Sequence, residues 1–223
     1  MARTTTVIDP NDPAYAGQES YTPGLLRIYD TVVVHLSNRY VWRCSSQRLV
    51  QLYEDNVGRH HVDAGPGTGY FLDVPDLPQL ERLTLVDANP NVLEHTAKRV
   101  DRYSPERVEA NVFAPIEHPG GADSVGCNYL LHCLPGSFED KGEAIANLAR
   151  LLRPGGVLFG STILAEGHSA IGRRLMTIYN KKGIFGNEHD TLGALERMLS
   201  THLIDVEIEV VGAVAIFRGR RPS

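Results

Sequence analysis

Apolar positions between residues 25 and 53 recur at intervals of three and four: Leu25, Leu26, Ile28, Tyr29, Val32, Val33 and Leu36, then Leu49, Val50, Leu52 and Tyr53. That is the repeat of an amphipathic helix, and the polar stretch at 37–44 predicts a break between two helices. Beyond residue 58 short apolar runs alternate with helical stretches. Strands are expected over 60–63, 83–87, 108–111, 123–129 and 157–164, the last apolar enough to be buried on both faces. Between them, a helix opens at Gly69 and is cut short near Pro75 or Pro78, and others cover 91–96 and 144–152. Arg153-Pro154-Gly155-Gly156 stops the last of these, and Asp190 is the expected N-cap of a helix through Leu199. Residues 204–210 and 213–218 alternate with period two around Val211-Gly212, the pattern of an antiparallel hairpin. The expectation is an α/β fold, one doubly wound domain over 1–223 with a mostly parallel sheet and a C-terminal antiparallel strand. Residues 1–55 form an irregular arm and helical cap, and residues 56–223 the core.

Composition narrows the functions available. The 223 residues are 42% apolar and 22% charged, enough to bury about 70% of the unfolded surface without disulfides or metals. Lysine and arginine total 22 against 27 acids, a net charge of −5, which argues against nucleic-acid binding. No apolar run approaches a membrane span, and Met1-Ala2-Arg3-Thr4-Thr5-Thr6 is no secretory signal. Cys44, Cys127 and Cys133 form no CxxC pair, so neither a disulfide framework nor a zinc knuckle is expected, and without a paired carboxylate cluster no metal is expected either. The expected setting is cytoplasmic.

Val62-Asp63-Ala64-Gly65-Pro66-Gly67-Thr68-Gly69 stands where chemistry is expected, at the carboxyl end of the first strand. Glycines there let the backbone turn and approach a ligand that a Cβ would block. Asp87 ends the second strand, where a carboxylate accepts hydrogen bonds from both hydroxyls of a ribose. Together these features imply a ligand containing a nucleoside, whereas the glycines alone could be mere turn residues. The dinucleotide fingerprint G-x-G-x-x-G needs glycine where Tyr70 stands, which disfavours a nicotinamide-dependent oxidoreductase.

The G-x-G-x-G loop after an acid, with Asp87, the Leu151–Gly156 turn and the terminal hairpin, resembles the class I S-adenosylmethionine-dependent methyltransferases from about residue 21 to 218. The resemblance implies a Rossmann-like sheet of seven strands, S-adenosyl-L-methionine as cofactor, and methyl transfer to a small, partly apolar acceptor, with no nucleic-acid or membrane partner; it is compatible with a homodimer. It also implies cofactor contacts from Asp63, Ala64, Gly65 and Gly67, from Asp87 to the ribose, and from Ala88, Asn89, Asn111 and Val112 around the adenine. Asn111 departs from the Asp often found there, though its carbonyl can still accept. Asn128 and Tyr129 would lie under the methionine portion. The segment Tyr29-Asp30 with Trp42-Arg43 resembles the quinone-biosynthesis methyltransferases. That places Tyr29 over the cofactor and Arg43 near its carboxylate, against a half-buried core tyrosine and a solvated arginine.

A hydroxyl or acidic carbon needs a group to take its proton, most often His, Asp or Glu. His132, after the fourth strand, is the first candidate for base or substrate positioning, against the reading that it satisfies a local backbone group. His35, His168 and Tyr179 are the runners-up. His60 and His61 read as structural, and Cys127 and Cys133 as small apolar packers. The stretch 165–188, with Arg173, Arg174, Lys181 and Lys182 among apolar residues, occupies the place of a substrate lid and reads as an amphipathic helix with a solvated basic face. The rival reading is a non-catalytic nucleoside-binding partner or sensor of the same fold.

Overall fold

The computed structural model describes residues 38–223; the expected arm and the first cap helix, with Tyr29 and His35, lie outside them. The elements are α1 (Ser46–Asn56), β1 (His60–Ala64), α2 (Tyr70–Asp73), β2 (Arg82–Asp87), α3 (Pro90–Arg99), β3 (Glu106–Glu109), β4 (Ala122–Asn128), α4 (Phe138–Leu151), β5 (Leu152–Ile163), α5 (Ala170–Lys181), α6 (Leu192–His202), β6 (Ile204–Val211) and β7 (Val214–Arg220). Among the described residues no helix is long and apolar enough to cross a membrane.

The seven strands form one sheet in the order β3-β2-β1-β4-β5-β7-β6. Neighbours from β3 to β5 pair in parallel, and β7 runs antiparallel to both β5 and β6. The hairpin read at the C-terminus is therefore inserted with β7 against β5, leaving β6 at the edge. Alternation along each strand divides the core between two faces. On β5, Leu158 packs with Ile145 and Leu148 of α4 and Leu195 and Leu199 of α6. Its neighbour Phe159 packs with Leu49 and Tyr53 of α1, Leu93 of α3 and Met176 of α5. Helices on both faces are what parallel strands joined by crossovers require.

Three local expectations are corrected. Helix α4 begins at Phe138 because Ser137 and Asp140 form a reciprocal capping box. The Arg153–Gly156 stretch lies within β5: between the pairs Ala122–Leu152 and Ser124–Val157 the strand carries three extra residues, a bulge made possible by Gly155 at φ +72°. Asp190 does not cap α6. Thr191 does, accepting from the Ala194 N–H, because Asp190 is taken up by a buried ion pair with Lys141.

Candidate active site

Three glycines shape the loop after β1, all at positive φ. Gly65 donates its N–H to the Val86 carbonyl at 2.9 Å, and a Cβ on it would meet Leu130 Cδ1 at 2.8 Å. Gly69, the N-cap of α2, would press a Cβ to 2.9 Å from Thr96 Cγ2. Gly67 differs: nothing lies within 4 Å of where its Cβ would be. Helix α3 braces this loop from behind. Thr96 Oγ1 donates to the Gly67 carbonyl at 2.7 Å, and Arg99 Nη1 to the Thr68 carbonyl at 3.2 Å. Neither brace was visible as a motif.

The loop opens onto a cleft at the carboxyl ends of the parallel strands, beside the point between β1 and β4 where the chain's winding reverses, the usual ligand position in such sheets. Gly65, Gly67, Asp87, Ala88, Asn89, Asn111, Val112 and Tyr129, all read from the sequence, line it. Asp87 Oδ1 accepts from the Asn89 N–H at 2.8 Å. Burial pushes its pKa up to about 7 despite the opposing Asn89 and Ala88 N–H groups. Asn89 caps α3, its side chain accepting from Asn91 N–H, and Asn111 Oδ1 accepts from Phe113 N–H at 3.0 Å. Val86, Val92 and Ala110 complete the apolar lining of this half. An open glycine floor, a half-buried carboxylate and apolar walls suit a nucleoside.

Leu130, Cys133, Leu134 and Ile184 line the outer half; none of them was named from the sequence as a site residue. Cys133 is exposed rather than packed. Its neighbour His132 turns the other way on the short helical turn Leu131–Cys133 and is buried. Ile163 N–H donates to His132 Nδ1 at 3.4 Å, so the ring proton sits on Nε2. The ring stands edge-on to Phe185, with centroids 4.5 Å apart, and to Tyr129 at 5.4 Å. Burial first, and the Lys141 charge second, lower its pKa to about 3.

Other candidates sit away from the cleft. Asp63 is buried against His61, whose Nε2 lies 3.2 Å from Asp63 Oδ2, and bonds also to Tyr53. Ala64 is buried at the end of β1. Asn128 Oδ1 accepts from Ser161 Oγ, while its Nδ2 is buried without a partner. Arg43 is exposed at φ +58° and donates to the Gly167 carbonyl. His168 Nε2 lies 2.6 Å from the Leu164 carbonyl, and its ring meets Trp42 edge-on. Tyr179 packs on Phe185, centroids 5.0 Å apart. None of these six residues lines the cleft.

Residues 62–158 match the family described as a methyltransferase domain. The demethylluteothin O-methyltransferase of Streptomyces thioluteus is 43% identical over 206 residues, covering 91% of this chain and 90% of its own. The physcion biosynthesis cluster O-methyltransferase of Aspergillus chevalieri is 33% identical, covering 95% and 97%. Among solved structures, the magnesium protoporphyrin IX methyltransferase of Synechocystis PCC 6803 with bound S-adenosylhomocysteine superposes with a TM-score of 0.64 at 15% identity, over 94% of this chain and all of the other. With its glycine floor, its half-buried Asp87 and this breadth of similarity, the chain belongs to the S-adenosylmethionine-dependent methyltransferases.

Proposed function

We propose that the chain methylates a hydroxyl oxygen on an apolar, conjugated small molecule. The observation that carries this reading is the outer half of the cleft. Leu130, Cys133, Leu134 and Ile184 form its wall, which suits an apolar, planar acceptor. Two relatives named for O-methylation, one of demethylluteothin and one in a physcion cluster, point the same way.

The bound cofactor supplies an electrophilic methyl group on a sulfonium. The chain's part is to bind and align. Gly67 leaves room for the ligand, Asp87 accepts from its ribose hydroxyls, and Ala88, Asn89, Asn111 and Val112 enclose its base. Tyr129, which lines the cleft, faces the methionine end, while Asn128 is buried at the end of β4 and acts through the strand. Asp63 and Ala64 shape the floor indirectly, through the strand that carries the loop. Among the described residues Asp87 is the one carboxylate lining the cleft, and no histidine joins it. A vinylogous acid, an enolic hydroxyl conjugated to a carbonyl, suits such a site, because it has already lost its proton to solvent near neutral pH and needs no strong base within reach. Alignment and exclusion of water then carry the rate. The same reading takes residues 1–223 as one domain, 165–188 as the lid over the acceptor, and the setting as cytoplasmic.

The test offers purified protein S-adenosylmethionine with demethylluteothin, and separately with phosphomonomethylethanolamine as a charged amine. Formation of S-adenosylhomocysteine with the first alone is expected. Turnover of the amine alone would overturn the reading.

A further inference from the structure

The stretch between α5 and α6 is gripped from the core on both sides of Gly186. Gly186 N–H donates to the His132 carbonyl at 2.9 Å, and the Gly186 carbonyl accepts from Lys141 Nζ at 2.8 Å. A Cβ on Gly186 would fall 2.4 Å from the Leu134 carbonyl oxygen, so only glycine can approach the turn this closely. Lys141, on α4, also donates to Asp190 Oδ2 at 2.6 Å, and both side chains are fully buried. The ammonium lies 5.2 Å from the centre of the Phe138 ring. Asn187 Nδ2 adds a bond to the Ile163 carbonyl at 2.8 Å, and the Asp190 carbonyl accepts from Ala165 N–H at 2.8 Å.

Immediately before this grip stand one residue of the cleft wall, Ile184, and the aromatic residue that follows it, Phe185. Ile184 lines the outer cleft. The Phe185 ring contacts His132, Tyr179 and Trp42, the last with centroids 6.0 Å apart. A buried ion pair adds little net stability over apolar residues of the same volume. What apolar residues could not do is hold a carbonyl in one place. We infer that Lys141 and Asp190 are positioning residues for the acceptor: by fixing the Gly186 carbonyl, they hold Phe185 against its aromatic neighbours and set Ile184 at the height the acceptor ring requires. This inference rests on the reading that the outer cleft receives the acceptor.

The double variant Lys141→Met/Asp190→Leu removes both charges while keeping an apolar fill, and Trp42, the one tryptophan of the chain, reports on Phe185 by its emission. The variant is expected to keep S-adenosylhomocysteine affinity within about twofold, shift Trp42 emission to the red and raise KM for demethylluteothin about fivefold or more, with kcat little changed. Unchanged emission together with unchanged KM would overturn the inference. Ile184→Ala separates the two ideas. If it leaves KM unaltered, or if the wild-type protein does not turn demethylluteothin over, the acceptor reading fails, while Trp42 emission still reports on the grip. If Ile184→Ala raises KM and the double variant does not, the positioning role alone fails.

Discussion

His61 Nε2 and Asp63 Oδ2 lie 3.2 Å apart on the same face of β1, both side chains sealed from solvent. The contact belongs to a directed chain. Gly58 N–H donates to Ser124 Oγ at 2.8 Å, and Ser124 Oγ lies 2.9 Å from His61 Nδ1. With Gly58 occupying an acceptor position on Ser124, the hydroxyl proton is directed to Nδ1, and Nε2–H donates to Asp63. Tyr53, its own pKa raised by burial and then by the Asp63 charge, completes the set. Removing one member leaves a buried charge under-solvated, at a cost of about 3 kcal/mol or more. His61→Leu is therefore expected to be strongly destabilising, and His61→Leu/Asp63→Leu less so than the sum of the single changes. Denaturant unfolding of the four proteins measures the coupling; additive effects would dissolve the chain.

Asp87 provides a pH signature for cofactor binding. A ribose hydroxyl donates to a carboxylate, so the ionised form binds. With the carboxyl pKa raised to about 7, the free protein is increasingly protonated as pH falls below that value, and binding must expel a proton. Each unit below pH 7 then costs about 1.4 kcal/mol, a tenfold loss of S-adenosylhomocysteine affinity that vanishes above pH 8. Asp87→Asn is expected to flatten the profile, and Asp87→Ala to weaken binding by about 1.5–3 kcal/mol at pH 8. Calorimetric titration from pH 5.5 to 8.5 checks both. A flat wild-type profile would remove Asp87 from the ribose.

The sequence was most informative where one residue type has one physical use. Glycines at 65, 67 and 69 and an acid at 87 are such positions, and the strand alternation placed β7 and β6 with little ambiguity. It was least informative where a side chain could turn either way. His132 and Cys133 are adjacent on a tight turn; the chemistry of histidine drew the assignment, but the turn sends Cys133 to the cleft and His132 into the interior. Asp190 has the composition of a cap, yet Lys141, 49 positions away in the chain, competes for it. No local pattern records a partner at that separation. Ile184 was unremarkable for the same reason, since its place depends on Gly186 docking against Leu134.

Gly67 separates folding from binding. A side chain there meets no protein atom, so Gly67→Ala is strained only by its φ of +57°, about 1–2 kcal/mol. The added methyl, however, occupies the space facing the cleft. The variant is expected to fold with a modestly lower melting temperature and to lose S-adenosylhomocysteine binding by about tenfold or more, far beyond what its stability implies. Gly65→Ala, which collides with Leu130, is expected to lose both. Calorimetry alongside thermal melts would show whether the two variants differ in this way; equal binding by wild type and Gly67→Ala would place the ligand elsewhere.

His132 is expected to reveal itself in stability rather than turnover. Its Nδ1 is spent on Ile163 N–H, and burial keeps the ring neutral down to about pH 3. The unfolded chain protonates this histidine near pH 6.5 while the folded protein does not, so its stabilising effect is full above pH 6.5 and declines as pH falls toward 3. His132→Phe removes that acid sensitivity but leaves the Ile163 N–H without an acceptor, at about 1–3 kcal/mol. Its kcat per folded molecule is expected to match the wild type, and the wild-type pH–rate profile to lack a limb that the variant abolishes. His132→Gln, which can still accept from Ile163, is expected to recover part of the lost stability. A hundredfold fall in kcat in a well-folded His132→Phe would return this residue to the chemistry, and with it the base that the cleft otherwise does without.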